Sequence, residues 1–120
     1  MKNTKFKLDV YDIEAIKKAK EILINNMKNP PSIVELARLV HVNEFKLKYG
    51  FKEVFNDTPY NTLLRYKLKY AADLLKKSDM NAGEVAMHIG YKSLPSFTKA
   101  FIKFHGIKPM ELMKSRKYYY

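Results

Sequence analysis

Two short stretches of this 120-residue chain concentrate side chains able to recognise a polyanion. The first holds Phe45, Lys46, Lys48, Tyr49 and Lys52, and the second holds Leu94, Pro95, Ser96, Thr98, Lys99 and Lys103. Lysine ammonium groups neutralise phosphates and reach guanine acceptors, while apolar side chains contact thymine methyls. Other chemistries lack their residues. Cysteine is absent, which removes disulfides, thiol catalysis and cysteine-based zinc sites. His41, His88 and His105 stand apart from any HExxH pattern. No Ser/His/Asp arrangement and no glycine-rich phosphate loop is present, so neither catalysis nor a cofactor or metal is expected.

Charge supports the same direction. The chain carries 23 Lys and Arg against 12 Asp and Glu, a formal net charge of +11, and its hydrophobic fraction of 47% suffices for a core. The excess is uneven: residues 1–60 hold 11 basic and 8 acidic residues, whereas residues 61–120 hold 12 and 4. No apolar run approaches the roughly 20 residues that span a bilayer, and residues 1–10 lack the apolar stretch of a signal peptide.

The elements that must position these residues read as helices throughout. Asp12 precedes a run with Ile13, Ile16, Ala19, Leu23 and Met27 at helical spacing, stopped at Asn29-Pro30-Pro31. Ser32 and Glu35 form a capping-box pattern ahead of a short helix, 33–40. Asn43 caps a helix over 44–55 with Leu47, Phe51, Val54 and Phe55 inward, and Asn56 ends it. Pro59 opens a long helix to about residue 77, with Leu64, Leu68, Ala71, Leu74 and Leu75 on its apolar face. Asn81 and Glu84 cap a second short helix, and Ser93 caps a helix over 94–105 with Phe97, Phe101 and Phe104 inward. Lys108-Pro109 begins a last short helix. Tyr118-Tyr119-Tyr120 reads as a loosely ordered end.

The halves repeat. Leu47 and Phe97, Phe51 and Phe101, Asn56 and Gly106, and Pro59 and Pro109 each stand 50 residues apart. Glu35 and Glu84, Leu36 and Val85, Ala37 and Ala86, and Val40 and Ile89 stand 49 apart, so the second turn is one residue longer. Agreement at several independent positions marks an internal repeat. The repeated unit is a short capped helix, a turn and a longer capped helix, a helix-turn-helix present twice. The fold expected is all-α, about seven helices, with subdomains 12–57 and 79–114, a connecting helix over 58–78, a lead segment 1–11 and a tail 115–120. A connecting helix of about 19 residues spans roughly 28 Å, close to one turn of DNA at roughly 34 Å. One monomer would then read two adjacent major grooves.

At Glu84-Val85-Ala86, Gly90-Tyr91, Ser96-Phe97-Thr98-Lys99-Ala100-Phe101 and Phe104-His105-Gly106-Ile107-Lys108-Pro109, the chain resembles the DNA-binding domain of AraC/XylS-type bacterial transcription regulators. The resemblance covers about residues 12–114. It implies base contacts at Phe45, Lys48 and Tyr49 and at Leu94, Pro95, Ser96, Thr98 and Lys99, with Lys46, Lys52 and Lys103 as further basic residues on these faces. Leu94 and Pro95 depart from the pattern, since neither donates a side-chain hydrogen bond. Lys67 stands where the family usually has Arg, and Asn56 replaces a common Gly.

The resemblance further implies double-stranded DNA as partner, RNA polymerase as a second one, transcription activation, and a cytoplasmic protein at the bacterial nucleoid. Most members carry an effector-sensing or dimerisation domain before this one. About eleven residues precede position 12 here, so the expectation is a monomeric fragment or a stand-alone domain, with dimerisation left to a preceding domain. Two other readings use the same helices. A protein–protein adaptor predicts an exposed apolar patch, and a membrane-surface binder needs one long basic amphipathic helix.

Overall fold

A computed structural model describes residues 7–116 of the chain; the tyrosine tail at 118–120 lies outside the described residues. Seven helices and no strand occur among the described residues. They are α1 (Val10–Asn25), α2 (Ile33–Leu39), α3 (Glu44–Phe55), α4 (Pro59–Lys77), α5 (Ala82–His88), α6 (Leu94–His105) and α7 (Pro109–Lys114). They form two compact units. Unit 1 runs to Asn26 and includes Pro30–Leu63, and unit 2 comprises Met27–Asn29 and the chain from Leu64 onward.

Unit 1 is built on α1. Its N-cap is Asp9, whose side chain accepts the Asp12 amide at 2.8 Å while the Asp12 carboxylate accepts the Asp9 amide at 3.0 Å. Asp12 is therefore the third residue of a reciprocal capping box and lies inside the helix instead of preceding it. An acid at either end of Asp9-Val10-Tyr11-Asp12 can play the cap, and the box uses both. The helix ends at Asn25, ahead of the two prolines, where the Asn26 side chain and backbone both donate to the Ile22 carbonyl. Met27 thus leaves the α1 stripe and packs on the core of unit 2.

Ile16, Ala19, Leu23, Leu36, Ala37, Val40, Leu47 and Phe51 are the buried apolar residues of α1 to α3, and these three helices contact one another. α3 packs tightly on α1 at Gly50, where a Cβ atom would lie 2.4 Å from Ile16 Cδ1. The glycine sacrifices helix propensity of about 1 kcal/mol for that approach.

Unit 2 repeats the plan with the later part of α4 in the role of α1. Leu68, Ala71, Ala72, Leu75, Val85, Ala86, Ile89, Phe97 and Phe101 form one buried cluster. Leu64 does not join it. That side chain is 38% exposed, and Leu63, one position round the helix, is buried instead. Phe104 is likewise 37% exposed. The inward position at the end of α6 belongs to His105, whose ring lies 4.3 Å from that of Phe101 and whose Nε2 lies 2.8 Å from the Leu68 carbonyl. The Arg116 guanidinium donates to the carbonyls of Leu74, Leu75 and Met80, which ties the chain after α7 to the C-terminal end of α4 and the turn that follows it.

Candidate nucleic-acid interface

Each unit sets its second helix by the same backbone device. In unit 1, α2 closes with Val42 N–H donating to the Ala37 carbonyl at 3.1 Å and His41 N–H to the Arg38 carbonyl at 3.2 Å. In unit 2, Tyr91 N–H donates to the Ala86 carbonyl at 2.9 Å and Gly90 N–H to the Met87 carbonyl at 3.2 Å. Both pairs are the hydrogen bonds of a Schellman motif. Its left-handed residue is His41 in one unit, with φ 61°, and Gly90 in the other, with φ 100°. The following helix starts after a four-residue turn in unit 1 and a five-residue turn in unit 2. That is the single-residue difference read from the repeat.

Caps fix where each second helix begins. Asn43 accepts the Lys46 amide at 2.7 Å, and Ser93 accepts the Ser96 amide at 3.2 Å. At the far ends Asn56 and Gly106 adopt φ values of 62° and 78° and donate to Lys52 and Ile102 carbonyls. The short helices differ more. Asn81 and Glu84 complete a capping box at 2.8 Å in both directions. Ser32 accepts the Glu35 amide at 3.1 Å, but Glu35 pairs with Arg38 instead of reaching back, so the expected box is only half made.

Burial of one face then decides which residues point outward. With Leu47, Gly50 and Phe51 buried, α3 presents Phe45, Lys48 and Lys52 as exposed side chains and Tyr49 as a half-buried one. These residues follow the three- and four-residue spacing of a single helix stripe. The Phe45 and Tyr49 rings stack with centroids 6.1 Å apart and planes 11° from parallel. Lys46 sits off this stripe. Its Nζ lies 3.1 Å from Asp12 Oδ1, which ties the first turn of α3 to the first turn of α1. The Asp9 amide and then the Lys46 ammonium hold the Asp12 carboxyl below its usual range.

α6 buries Phe97 and Phe101 and turns Leu94, Pro95, Lys99 and Ile102 outward, with Thr98 half-buried among them. Lys103 is exposed one position round the helix, and Ser96 is exposed in the first turn. The Ser96 hydroxyl donates to the Ser93 carbonyl at 3.0 Å and accepts from the Ser93 hydroxyl at 3.0 Å. Its hydrogen is thereby engaged inside the cap. Ile102, 37% exposed, belongs to the stripe and was not among the predicted contacts. The 50-residue offset that aligns it with Lys52 was the signal for it.

Behind the second turn, Lys67 lies half-buried with Nζ 5.2 Å from the centre of the Tyr91 ring. Burial lowers the pKa of this lysine and raises that of Tyr91. The place taken by Arg in the family's usual pattern is thus held by a cation packed on an aromatic face. Among the described residues no group of His, Asp or Glu could hold a metal ion, and no helix is long and apolar enough to cross a membrane.

Known proteins show the same construction. A helix-turn-helix domain model matches residues 36–115. The HTH-type transcriptional regulator GbdR of Pseudomonas aeruginosa is 33% identical over 86 residues, which are 72% of this chain and 23% of that protein. The RCS-specific HTH-type transcriptional activator RclR of Escherichia coli is 29% identical over 80 residues, 67% of this chain and 28% of that one. The chain therefore spans about a quarter of the length of these curated relatives. Among solved structures, an AraC-type DNA-binding-domain regulator from Chromobacterium violaceum superposes with a TM-score of 0.79 at 22% identity, covering 90% of this chain and 96% of that one. The DNA-binding domain of AdpA, solved in complex with a target DNA, gives a TM-score of 0.76 at 17% identity, covering 88% and 95%. With the fold, the doubled turn and the domain match in agreement, this chain belongs to the AraC-type helix-turn-helix DNA-binding domains.

Proposed function

We propose that this chain is the sequence-specific DNA-binding part of a bacterial transcription regulator, and that both of its units engage the duplex. The observation that carries the proposal is the pair of outward stripes on α3 and α6, each behind a Schellman turn and each basic. A helix of this kind fits the major groove. In unit 1 Lys48 and Lys52 supply cations and the Phe45–Tyr49 stack supplies a flat apolar surface for base edges. Lys46 acts by holding α3 against α1 through Asp12. In unit 2 Lys103 meets phosphates, and Leu94, Pro95, Ser96, Thr98 and Lys99 lie along the first turns of the reading helix, toward the bases. The connecting segment over 58–78 joins the two readers, so one monomer covers two adjacent major grooves. Activation through contact with RNA polymerase, and dimerisation through a further domain, complete the reading.

Salt titration tests it. Neutralising about 6–8 phosphates gives a log–log slope of binding against salt of about −5 to −7. A slope near zero on every duplex would remove DNA as the partner.

A further inference from the structure

We infer that α6 selects its base pairs through thymine methyl groups, with Leu94 and Ile102 as the side chains that read them. The inference rests on the DNA reading above and deepens it.

Three observations converge on this surface. First, at the 50-residue offset the outward stripe of α3 carries Phe45, Lys48, Tyr49 and Lys52, where α6 carries Pro95, Thr98, Lys99 and Ile102. The cation at position 52 becomes an exposed isoleucine at 102. Second, Leu94 opens α6 with 45% of its surface exposed, next to an exposed proline that has neither a side-chain donor nor an amide hydrogen. Third, the hydroxyl of Ser96, exposed in the first turn, already gives its hydrogen to the Ser93 carbonyl.

Leu94, Pro95 and Ile102 therefore give the outward side of α6 an apolar surface, and at the position of Lys52 an apolar side chain replaces a cation of α3. In the major groove the apolar feature is the C5-methyl of thymine. Leu94 and Ile102 lie eight residues apart on one face, about 12 Å along the axis. That length matches three to four base-pair steps at about 3.4 Å each. Charge decides between DNA and an apolar protein partner as the occupant. Lys99 lies between the two apolar side chains and Lys103 follows them, in the half of the sequence where basic residues outnumber acidic ones 12 to 4. An apolar stripe interleaved with cations suits a polyanion that displays methyl groups.

Deoxyuridine tests this directly, because it deletes the thymine methyl and keeps the hydrogen-bonding edge. The 120-residue chain is first used to select duplexes from a random-sequence library. Each thymine of a selected duplex is then replaced by deoxyuridine, and affinity is read by fluorescence anisotropy. Burying one methyl-sized group is worth about fourfold in an equilibrium constant. One or two positions should weaken binding by about that factor in the unaltered chain. The penalty should vanish in Leu94→Ala at one position, in Ile102→Ala at the other, and persist in Lys48→Ala. Both altered side chains are solvent-exposed, and circular dichroism confirms that the variants fold. Indifference at every thymine, or a penalty that survives both substitutions, overturns the inference while leaving DNA binding intact. Leu94→Ala that binds the selected duplex unchanged points to a protein partner for this stripe and overturns it as well. Failure to select any duplex overturns the DNA reading together with this one.

Discussion

The two helix-turn-helix units solve one geometric problem with different residues. Their reading helices both begin at a side-chain cap, both follow a Schellman turn and both bury a phenylalanine at the centre, Phe51 or Phe101. They differ in what constrains the turn and in what faces outward. Unit 1 holds its left-handed turn residue in a histidine, which has a Cβ to accommodate, and locks α3 to α1 with the Lys46–Asp12 pair. Unit 2 uses glycine at the same place, because a Cβ at Gly90 would approach the Lys28 Cα to 2.8 Å and the Met27 carbonyl oxygen to 3.0 Å. At the position of α6 that corresponds to Lys46 stands Ser96, which closes on its own cap. The backbone plan is therefore what the repeat preserves, while side chains around each turn are free to specialise.

The largest effect tests the likeness of the two cores. Phe51→Ala and Phe101→Ala each remove a fully buried ring, and each should cost about 3–5 kcal/mol in denaturant unfolding. A much smaller loss at one of them would break the correspondence. The turns should separate next. Gly90→Ala combines a positive φ with contact against backbone and should destabilise by about 2–3 kcal/mol. His41→Gly relieves a left-handed non-glycine residue and should gain about 0.5–1 kcal/mol, read as a raised Tm. Equal signs at the two positions would contradict the account of the turns.

The smallest effect concerns the lock on α3. The folded-state pKa of Asp12 lies below its ordinary value of 3.8, so its contribution to stability is present above that value and is lost as pH falls through the folded one. Asp12→Asn should flatten the acid side of the stability–pH curve relative to the unaltered chain. An unchanged acid limb would show that the pair with Lys46 adds nothing to unit 1.

The sequence made the doubled unit legible because caps and cores are local or periodic. Asn43, Ser93 and Asn81 require only neighbouring residues to be interpreted, and the 49- and 50-residue offsets only a comparison of one half with the other. Long-range choices were not legible. Lys46 carries the same charge as Lys48, and only packing of α1 beside α3 shows that one is paired with Asp12 while the other is exposed. Leu64 and Phe104 fit an apolar spacing that a helix satisfies from either of two adjacent rotations, and the structure buries Leu63 and half-buries His105 instead. The helix begins at Val10, ahead of Asp12, for a related reason, since Asp9 and Asp12 both have cap chemistry and only the reciprocal bonds distinguish their roles.

Hydroxyl-radical footprinting of a selected duplex tests the central claim, that two units of one chain both read DNA. Two protected blocks are expected. Lys48→Ala should weaken protection mainly in one block and Lys99→Ala mainly in the other, each at a cost of about 1–3 kcal/mol on the selected site. A single block that responds to only one of these substitutions would contradict it.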